Sequence, residues 1–319
     1  MIKTVIHKLN DNYDNDIYVK REDLLPFSFG GNKVRIAEEF FLDMERKNKN
    51  ILIAYGNSRS NLCRILSNMA FQKRIPCIVI SPADDDGRIV NTNNGILVNA
   101  CDTQYVYCKK NTVAETVEKV LFDVRGKGLN PYYIYGDKYG KGNENIPVNA
   151  YYKVYSQILK QEAELNSRFD YIFLATGTGM TQAGLLCGKL LNPDDNHKII
   201  GISVARTSEN EREVLKNYIK SFLIKINKNV AENEILDVIK IDDNYIQDGY
   251  GKANDQIMTK ISDIYKSEGF YLDPTYTGKA FFGMLEYLKS NNIIGKRILF
   301  IHTGGLPLFF DNIKYLFRE

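Results

Sequence analysis

Short apolar runs recur along this chain and alternate with longer segments in which apolar residues follow a helical spacing. The apolar runs lie at residues 51–54, 77–80, 105–107, 133–134, 171–174, 199–202 and 298–301. The segments with helical spacing lie at residues 61–73, 112–126, 150–165, 209–225 and 254–269. Almost every position in the runs is apolar, which is typical of parallel strands covered by helices on both faces. The alternation therefore predicts an α/β fold with open, mostly parallel sheets.

Composition narrows the class of protein without pointing to a reaction. The 319 residues are 44% hydrophobic and 25% charged, which is typical of a soluble globular protein with room for two domains. The net charge of +3 comes from 42 basic and 39 acidic residues spread along the chain, so no nucleic-acid partner is expected. The five cysteines form no CxxC pair, and no run of eighteen apolar residues occurs. We therefore expect a cytoplasmic protein with reduced thiols, no metal site and no membrane partner.

A glycine pair precedes a lysine at the start of a helix-like stretch. Gly30 and Gly31 lead into Asn32 and Lys33, and the helical pattern continues to about Met44. In the first turn of a helix the dipole disfavours an ammonium, which lowers the pKa of the Lys33 amine and makes the neutral form available for imine formation. A surface lysine after a Gly-Gly turn is the alternative interpretation of this motif alone.

A glycine-rich segment follows the apolar run at residues 171–174. It reads Ala-Thr-Gly-Thr-Gly-Met-Thr-Gln-Ala-Gly over residues 175–184 and continues as a helical pattern. A strand that opens through glycines onto a helix presents free backbone N–H groups and a positive dipole end, which favours a phosphate. The segment lacks the GxGxxG spacing of dinucleotide sites and the lysine of a P-loop. An ordinary glycine-rich turn is the alternative.

Residues 56–61, Gly-Asn-Ser-Arg-Ser-Asn, also stand between an apolar run and a helical pattern. Ser60 or Asn61 could cap that helix and could also offer hydroxyl and amide groups to a carboxylate. Taken alone, the segment favours simple capping.

Two further polar segments lie near the carboxyl terminus. Residues 273–280, Asp-Pro-Thr-Tyr-Thr-Gly-Lys-Ala, open a helix, and residues 302–307, His-Thr-Gly-Gly-Leu-Pro, follow the last strong apolar run. We interpret His302 as a structural histidine rather than a base. Open α/β sheets bind ligands at the carboxyl ends of their strands. The candidate ligand contacts there are Tyr276, Thr277 and Thr303.

In chain order, these five segments resemble the family that contains D-cysteine desulfhydrase and 1-aminocyclopropane-1-carboxylate deaminase. The resemblance extends from about Lys20 to Leu308, and its anchors are Gly-Gly-Asn-Lys, Ser-Asn, Thr-Gln-Ala-Gly-Leu, Asp-Pro-x-Tyr-Thr-Gly-Lys-Ala and His-Thr-Gly-Gly-Leu-Pro. It implies the two-domain tryptophan synthase β-like architecture (fold type II), the cofactor pyridoxal 5′-phosphate (PLP), a small amino-acid substrate and a homodimer. The expected domains are a large PLP-binding domain from residues 1–43 and 155–319 and a small α/β domain from residues 44–154.

The resemblance also implies roles in catalysis. Lys33 is the expected Schiff-base lysine and the proton carrier at the substrate α-carbon. Ser60 is expected near the substrate carboxylate or the leaving group, and Tyr276 is expected to face the substrate.

Further residues are expected to bind the cofactor. Asn61 would meet the pyridine ring or its oxygen, and Thr277 or Thr303 would approach the pyridine nitrogen. The residues expected to hold the phosphate are Gly177, Thr178, Gly179, Met180 and Thr181.

Thr277 and Thr303 separate the two namesake activities. The cyclopropane deaminases are expected to carry Glu and Leu at these positions, and the desulfhydrase-like members to carry Thr at both. A neutral hydroxyl keeps the pyridinium protonated less firmly than a carboxylate does, so the ring is a weaker electron sink. This favours prompt β-elimination of a good leaving group, with a keto acid and ammonia as products, over the opening of a cyclopropane ring.

The chain departs from the family pattern around the substrate. Leu62 stands where relatives usually have His or Gln, Arg59 replaces Gln, and Ile36 stands where relatives often have a Lys near the phosphate. Residues 135–144 replace the usual Pro-x-Gly-Gly-Ser stretch, and their charges together with Arg59 favour a larger or acidic substrate. The alternatives to elimination are a β-replacement synthase, a racemase and a PLP-binding protein without turnover.

Overall fold

The computed structural model describes residues 1–10, 13–83, 87, 89–246 and 249–317. The strands in this part of the chain are β1 (Ile6–Lys8), β2 (Asp16–Arg21), β3 (Ile51–Tyr55), β4 (Cys77–Pro82), β5 (Gln104–Cys108), β6 (Pro131–Tyr133), β7 (Tyr171–Thr176), β8 (Lys198–Ser203), β9 (Lys240–Asp242) and β10 (Arg297–His302). The α-helices are α1 (Lys33–Arg46), α2 (Asn61–Gln72), α3 (Asn93–Asn99), α4 (Val113–Gly126), α5 (Asn145–Glu164), α6 (Met180–Leu190), α7 (Ser208–Lys225), α8 (Glu232–Val238), α9 (Asp255–Glu268), α10 (Thr277–Ser290), α11 (Leu306–Asp311) and α12 (Ile313–Leu316).

The chain divides into two compact units. The larger unit combines Met1–Asn32 with Val148–Glu319, and the smaller unit is Lys33–Pro147. Both junctions lie at or within the first turn of a helix, because α1 begins at Lys33 and α5 begins at Asn145. The domain boundaries expected from the sequence, after residues 43 and 154, fall inside the same two helices. Because a helix is a stiff rod, nearly all of its residues contact the same unit. The boundaries between the units therefore lie near the helix ends and not in the middle of the helices.

The larger unit contains a sheet with the strand order β1-β2-β10-β7-β8-β9. β1 pairs antiparallel with β2, and all other neighbours are parallel. Phe300 in β10 lies opposite Val19 on one side and Phe173 on the other, and all three are 0% exposed. Both α6 and α10 pack against β7. The apolar runs of this unit are therefore buried parallel strands, as the sequence predicted.

The sequence pattern did not indicate β1, β2 or β9. These strands lie at or next to the sheet edges, and β2 carries charged residues such as Lys20. Lys20 is nevertheless fully buried, because its Nζ donates to Gln161 Oε1 at 2.7 Å and lies 3.8 Å from Glu22 Oε1. Partners from a distant helix make a charged position part of the interior, and no local pattern shows this.

The smaller unit contains a parallel sheet with the order β5-β4-β3-β6. Its inner strands β3 and β4 are buried, and α2 packs against both. The expectation of strands buried on both faces is wrong for β5, whose residues are exposed or partly exposed, including Tyr107 at 50%. β5 is an edge strand and has a neighbouring strand on one side only.

The helices with the predicted spacing are present. α2, α4, α7 and α9 begin and end within a residue or two of the predicted segments, whereas α5 begins at Asn145 rather than at residue 150. The first turn of α5 contains Pro147, and a helix tolerates proline in its first turn. The helical spacing of apolar residues begins only after this turn, so the predicted segment started too late. Among the described residues, no helix combines the length and apolar character needed to cross a membrane.

Candidate active site

Lys33 is the first residue of α1, as the sequence predicted. The residue before it is anchored twice: the Asn32 backbone N–H donates to the Thr303 carbonyl at 3.0 Å, and Asn32 Nδ2 donates to Thr181 Oγ1 at 2.9 Å. Thr303 follows β10, and Thr181 lies in the first turn of α6. The peptide that leads into Lys33 is therefore held at the carboxyl edge of the larger sheet.

Glycines are required where the segment before Lys33 meets the segment after β10. Gly31 has a φ of +103° and Gly304 has a φ of +93°. A Cβ on Gly31 would lie 2.9 Å from the Thr303 carbonyl oxygen, and a Cβ on Gly304 would lie 2.6 Å from the Gly31 Cα. Only glycine combines these backbone angles with so close an approach.

The loop between β7 and α6 ends in a helix N-terminus without a side-chain cap. Gly179 occupies the N-cap position in the left-handed region, with a φ of +77°, and it makes no side-chain capping hydrogen bond to the backbone of α6. By contrast, Ser60, Thr92 and Asn254 cap α2, α3 and α9 through their side chains. Because α6 has about three turns and no side-chain cap, its unpaired N–H groups and positive dipole end suit an anion such as a phosphate.

A buried carboxylate and an arginine hold this loop through hydrogen bonds. Glu211 is 0% exposed, and its two oxygens accept hydrogen bonds from Thr176 Oγ1 at 2.9 Å and from Arg206 Nη1 at 2.9 Å. The same guanidinium nitrogen donates to the Gly177 carbonyl. The network fixes the loop and brings a positive charge to it. The sequence analysis missed Arg206 and Glu211, because they lie about one βα unit further along the chain and belong to none of the five motifs.

Asp273 organises the start of α10. It is fully buried, and its carboxylate accepts the backbone N–H groups of Thr275 at 2.9 Å, Tyr276 at 2.9 Å and Thr277 at 3.1 Å. The Thr277 hydroxyl donates to Asp273 Oδ2 at 2.8 Å and accepts the Asp273 N–H at 2.7 Å. Burial raises the pKa of the Asp273 carboxyl to about 6 against the opposing effect of these hydrogen bonds. The hydroxyl proton of Thr277 is therefore already engaged in a hydrogen bond to Asp273 within this turn.

Thr303 has a different environment. Its carbonyl accepts the Asn32 N–H, but its hydroxyl makes no hydrogen bond to any residue that the structure describes. His302 beside it is 0% exposed, with Nε2 2.6 Å from the Tyr271 carbonyl and Nδ1 3.2 Å from the Gly304 nitrogen. Burial lowers the pKa of His302, so the neutral ring donates through Nε2 and accepts through Nδ1. This geometry supports the structural role expected for His302.

Tyr276 is paired with a tyrosine that the sequence analysis did not single out. The hydroxyls of Tyr276 and Tyr250 are hydrogen-bonded to each other. The segment carrying Tyr250 is held by Lys279, a buried residue of α10 whose Nζ donates to the carbonyls of Ile246 at 2.7 Å and Gly249 at 3.0 Å. Lys279 belongs to the Asp-Pro-x-Tyr-Thr-Gly-Lys-Ala motif. The motif could therefore have pointed to Lys279, although not to the carbonyls that it contacts.

In the smaller unit, Ser60 and Asn61 lie at the start of α2. Ser60 is the N-cap, and its Oγ accepts the Cys63 N–H at 3.1 Å. Asn61 Oδ1 accepts a hydrogen bond from Asn94 Nδ2 at 2.9 Å. Burial raises the pKa of the Cys63 thiol to about 12, so this neighbour is not a nucleophile at neutral pH.

Residues 135–144 form a series of turns, and the charged side chains of Asp137, Lys138 and Glu144 contact neighbouring groups. Asp137 Oδ1 accepts the backbone N–H groups of Tyr139 at 2.8 Å and Lys141 at 2.9 Å, and Lys138 Nζ lies 2.8 Å from Glu118. Glu144 accepts the Gly142 N–H at 2.7 Å. The expectation that the charges of this segment favour an acidic substrate stays a prediction.

The two units carry the expected site residues in separate sets. The larger unit carries Tyr276, Thr277, Thr303 and the residues of the β7–α6 loop, Gly177, Thr178, Gly179, Met180 and Thr181. The smaller unit carries Lys33, Ser60 and Asn61.

Comparisons with known proteins agree with this set of features. A family model described as "Pyridoxal-phosphate dependent enzyme" matches residues 4–304. A Pyrococcus abyssi protein named for 1-aminocyclopropane-1-carboxylate deaminase is 30% identical over 301 residues, covering 92% of this chain and 86% of that protein. The D-cysteine desulfhydrase of Yersinia pestis is 28% identical over 311 residues, covering 96% of this chain and 91% of that protein. A crystal structure described as an ACC deaminase homologue covers 99% of this chain and 93% of its own, with a TM-score of 0.85 and 27% identity.

These similarities confirm the expected family, the fold type II architecture and PLP as the cofactor of an enzyme related to lyases and deaminases. The residues present fit that cofactor. The uncapped N-terminus of α6 suits a phosphate, and the Thr303 hydroxyl has no hydrogen-bond partner among the described residues.

Proposed function

Because this chain belongs to the family of pyridoxal-phosphate dependent enzymes, we propose that it is a desulfhydrase-like lyase. It removes the α-proton of a small amino acid and eliminates the β-substituent, and hydrolysis then gives a keto acid and ammonia. One observation carries this choice: the Thr277 hydroxyl already donates its proton to Asp273, which leaves the neutral hydroxyl of Thr303 to serve the ring nitrogen. A neutral partner keeps the ring a weak electron sink, and this favours prompt loss of a good leaving group.

When bound, PLP supplies the electron sink that stabilises negative charge at the substrate α-carbon. The backbone N–H groups of residues 177–181 hold its phosphate at the start of α6, where no side chain competes for them. Arg206 keeps the loop in place through the Gly177 carbonyl. Asn61 donates an amide N–H to an oxygen of the cofactor.

Lys33 carries the proton chemistry. Its ε-amine would hold the cofactor, and the same amine would take the proton from the substrate α-carbon. Its place at the start of α1 supports this role, because the positive end of the helix dipole disfavours the ammonium form. Ser60 binds the substrate carboxylate, and the Tyr276 hydroxyl, oriented by Tyr250, faces the leaving group.

The substrate we propose is an amino acid with a thiol or a comparable leaving group on its β-carbon. The similarity to D-cysteine desulfhydrase supports this class. Arg59 adds a cation next to Ser60 and favours a substrate with a second negative group, whereas the charges of residues 135–144 are largely engaged within the smaller unit.

The test combines spectra with product analysis. Purified protein loaded with PLP is given single amino acids, D- and L-cysteine among them, while the visible absorbance, ammonia and keto acid are measured. We expect ammonia and keto acid in equal amounts without a second substrate. Lys33→Ala should abolish the absorbance of the covalently bound cofactor, whereas Lys47→Ala, just beyond the other end of α1, should not.

Two results would redirect the proposal. Product that forms only when a second nucleophile is added identifies a β-replacement synthase. Cofactor binding without consumption of any amino acid, and without exchange of its α-proton for deuterium, identifies a binding protein.

A further inference from the structure

We infer that Asn94 is a positioning residue that sets the direction of the Asn61 side-chain amide, so that Asn61 offers an N–H and not an oxygen to the bound cofactor. This inference rests on the proposed function, because it deepens the role given to Asn61. Both residues belong to the smaller unit.

The direction of each amide follows from a main-chain carbonyl. The Arg59 carbonyl can only accept a hydrogen bond, and Asn94 Nδ2 lies 3.1 Å from it, so the Asn94 amide must point its nitrogen to that side. The same nitrogen lies 2.9 Å from the Asn61 side chain. Asn61 must therefore present Oδ1 to Asn94, and its own Nδ2 points elsewhere. If Asn61 were turned over, two nitrogens would face each other and the hydrogen bond would be lost.

Burial makes this arrangement costly to maintain for structure alone. Asn94 is 0% exposed, and its Oδ1 has no hydrogen-bond partner among the described residues. A buried polar atom without a partner destabilises the folded state. An apolar residue in the same place would avoid that cost but could not donate to Arg59 and Asn61. The donor groups of Asn94 therefore account for its presence.

The side-chain nitrogen of Asn61 is available to a ligand. Asn61 is partly exposed, and its Nδ2 makes no hydrogen bond to a residue in the described part of the chain. An N–H donor stabilises an oxygen that carries negative charge, such as the phenolic oxygen of PLP in its ionised form. The opposite orientation would place two acceptors against each other.

Thr92 provides a matched comparison on the same helix. It caps α3 by accepting the Gly95 N–H at 3.1 Å, and its hydroxyl donates to the Ser58 carbonyl at 2.6 Å. Thr92 and Asn94 thus both hold the segment before α2, but only Asn94 contacts the Asn61 amide. A Thr92→Val change loosens the segment without changing the direction of that amide.

The experiment measures PLP affinity and the pH titration of the bound cofactor's visible absorbance in Asn94→Leu, Asn94→Asp and Thr92→Val. In Asn94→Asp the new carboxylate can only accept, so Asn61 turns its nitrogen towards it and its oxygen towards the cofactor. We expect PLP affinity to fall about tenfold or more, the loss of one charge-assisted hydrogen bond. We also expect the titration midpoint to rise by about one pH unit, because the ionised oxygen loses its donor. Asn94→Leu should show a smaller change in the same direction, and Thr92→Val should leave the midpoint unchanged.

A double-mutant cycle separates positioning from stability. If Asn94 acts through Asn61, the effect of Asn94→Leu on the midpoint disappears when Asn61 is already alanine. Thermal unfolding of the cofactor-free variants gives the stability effect separately, and Asn99→Ala on the exposed side of α3 serves as the background control.

The inference is overturned if Asn94→Leu and Thr92→Val give the same midpoint, or if the effect of Asn94→Leu persists in the Asn61→Ala background. Its failure differs from a failure of the proposed function. A protein that couples Asn94 to Asn61 but eliminates no substrate contradicts only the lyase proposal, and a protein that eliminates β-substituents without this coupling contradicts only the inference.

Discussion

The hydroxyls of Thr277 and Thr303 differ in the hydrogen bonds that they still have available. Thr277 is fully buried and its hydroxyl makes two hydrogen bonds with Asp273, whereas the Thr303 hydroxyl has no partner among the described residues. A threonine has one proton to donate, so only Thr303 can donate to a ligand without breaking an internal bond. The same residue type therefore serves the fold in one place and the proposed chemistry in the other.

Replacing each threonine by valine should separate these roles. Thr303→Val should lower turnover about tenfold with little change in stability, because it removes a donor to the cofactor ring. Thr277→Val should destabilise the protein by about 1–3 kcal/mol, because it leaves buried groups of Asp273 without partners. Steady-state kinetics and chemical unfolding of both variants provide the measurements. Equal stability loss in the two variants would contradict the assignment.

His302 should make stability depend on pH. Its folded pKa lies below the ordinary value of 6.5 because of burial, so the unfolded chain binds a proton first as the pH falls. The contribution of His302 to stability is complete above about pH 6.5 and decreases below it, by up to about 1.4 kcal/mol per pH unit until the folded residue also titrates.

The matched reference for this prediction is His302→Asn, which does not titrate. The difference in unfolding free energy between wild type and variant should shrink between pH 7 and pH 5, measured by denaturant titration. His7, whose pKa is also lowered by burial, is present in both proteins and cancels. Parallel pH profiles would show that His302 does not titrate differently in the folded state.

Among the elements, the β7–α6 connection has the clearest functional geometry. The loop ends in a left-handed glycine instead of a capping side chain, and Glu211 and Arg206 hold it from α7 and the turn after β8. The first turn of α6 is therefore held in place, and no capping side chain occupies its N–H groups. Such preorganisation reduces the entropy that a phosphate must lose on binding.

Gly179→Ala should weaken PLP binding about tenfold. An alanine at a φ of +77° is strained by about 1–2 kcal/mol, and the loop can relieve that strain only by moving away from its binding geometry. Gly269→Ala is the control, because Gly269 has a φ of +73° at the end of α9 and an added Cβ would meet nothing within 4 Å. A Cβ on Gly179 would also lie 3.1 Å from Glu211 Oε1, so the unfolding temperature should fall more in Gly179→Ala than in Gly269→Ala. Spectrophotometric PLP titration should change only in Gly179→Ala. Equal affinity in the two variants would argue against this loop as the phosphate site.

For the whole molecule, the division into two units means that each has its own sheet and buried core. The groups proposed for the cofactor are Lys33 and Asn61 in the smaller unit and the β7–α6 loop with Thr303 in the larger one. A ligand that binds only the folded chain stabilises it in proportion to the logarithm of its concentration over its dissociation constant.

Adding PLP to the cofactor-free protein should therefore raise the free energy of unfolding. The increase should be about 2.7 kcal/mol when PLP is present at a hundred times its dissociation constant. Pyridoxal without the phosphate, at the same concentration, should have a much smaller effect, because the N-terminus of α6 gains no anion. Denaturant unfolding with each ligand measures the difference, and equal effects would show that the phosphate loop does not contribute.

The α/β class and the main helices could be read from the sequence because they depend on local periodicity. Lys33 was placed correctly at the start of α1, and Ser60 was correctly considered as the cap of α2. These features need only a few neighbouring residues. The strands β1, β2 and β9 could not be read in this way, and β2 in particular is charged. The strand β5 was indicated by its apolar run, but its exposure follows only from its place at the edge of the sheet.

The five motifs, in their order, were sufficient to indicate the family and the cofactor, and the role of Lys33 stays a prediction. Tertiary structure decided how the side chains within those motifs are used. It showed that Thr277 donates to Asp273, that Arg206 and Glu211 hold the β7–α6 loop, and that Asn94 donates a hydrogen bond to Asn61. The physical reason is that a hydrogen bond depends on distance and direction in space. Residues separated by about thirty positions along the chain become partners only after the strands and helices have packed.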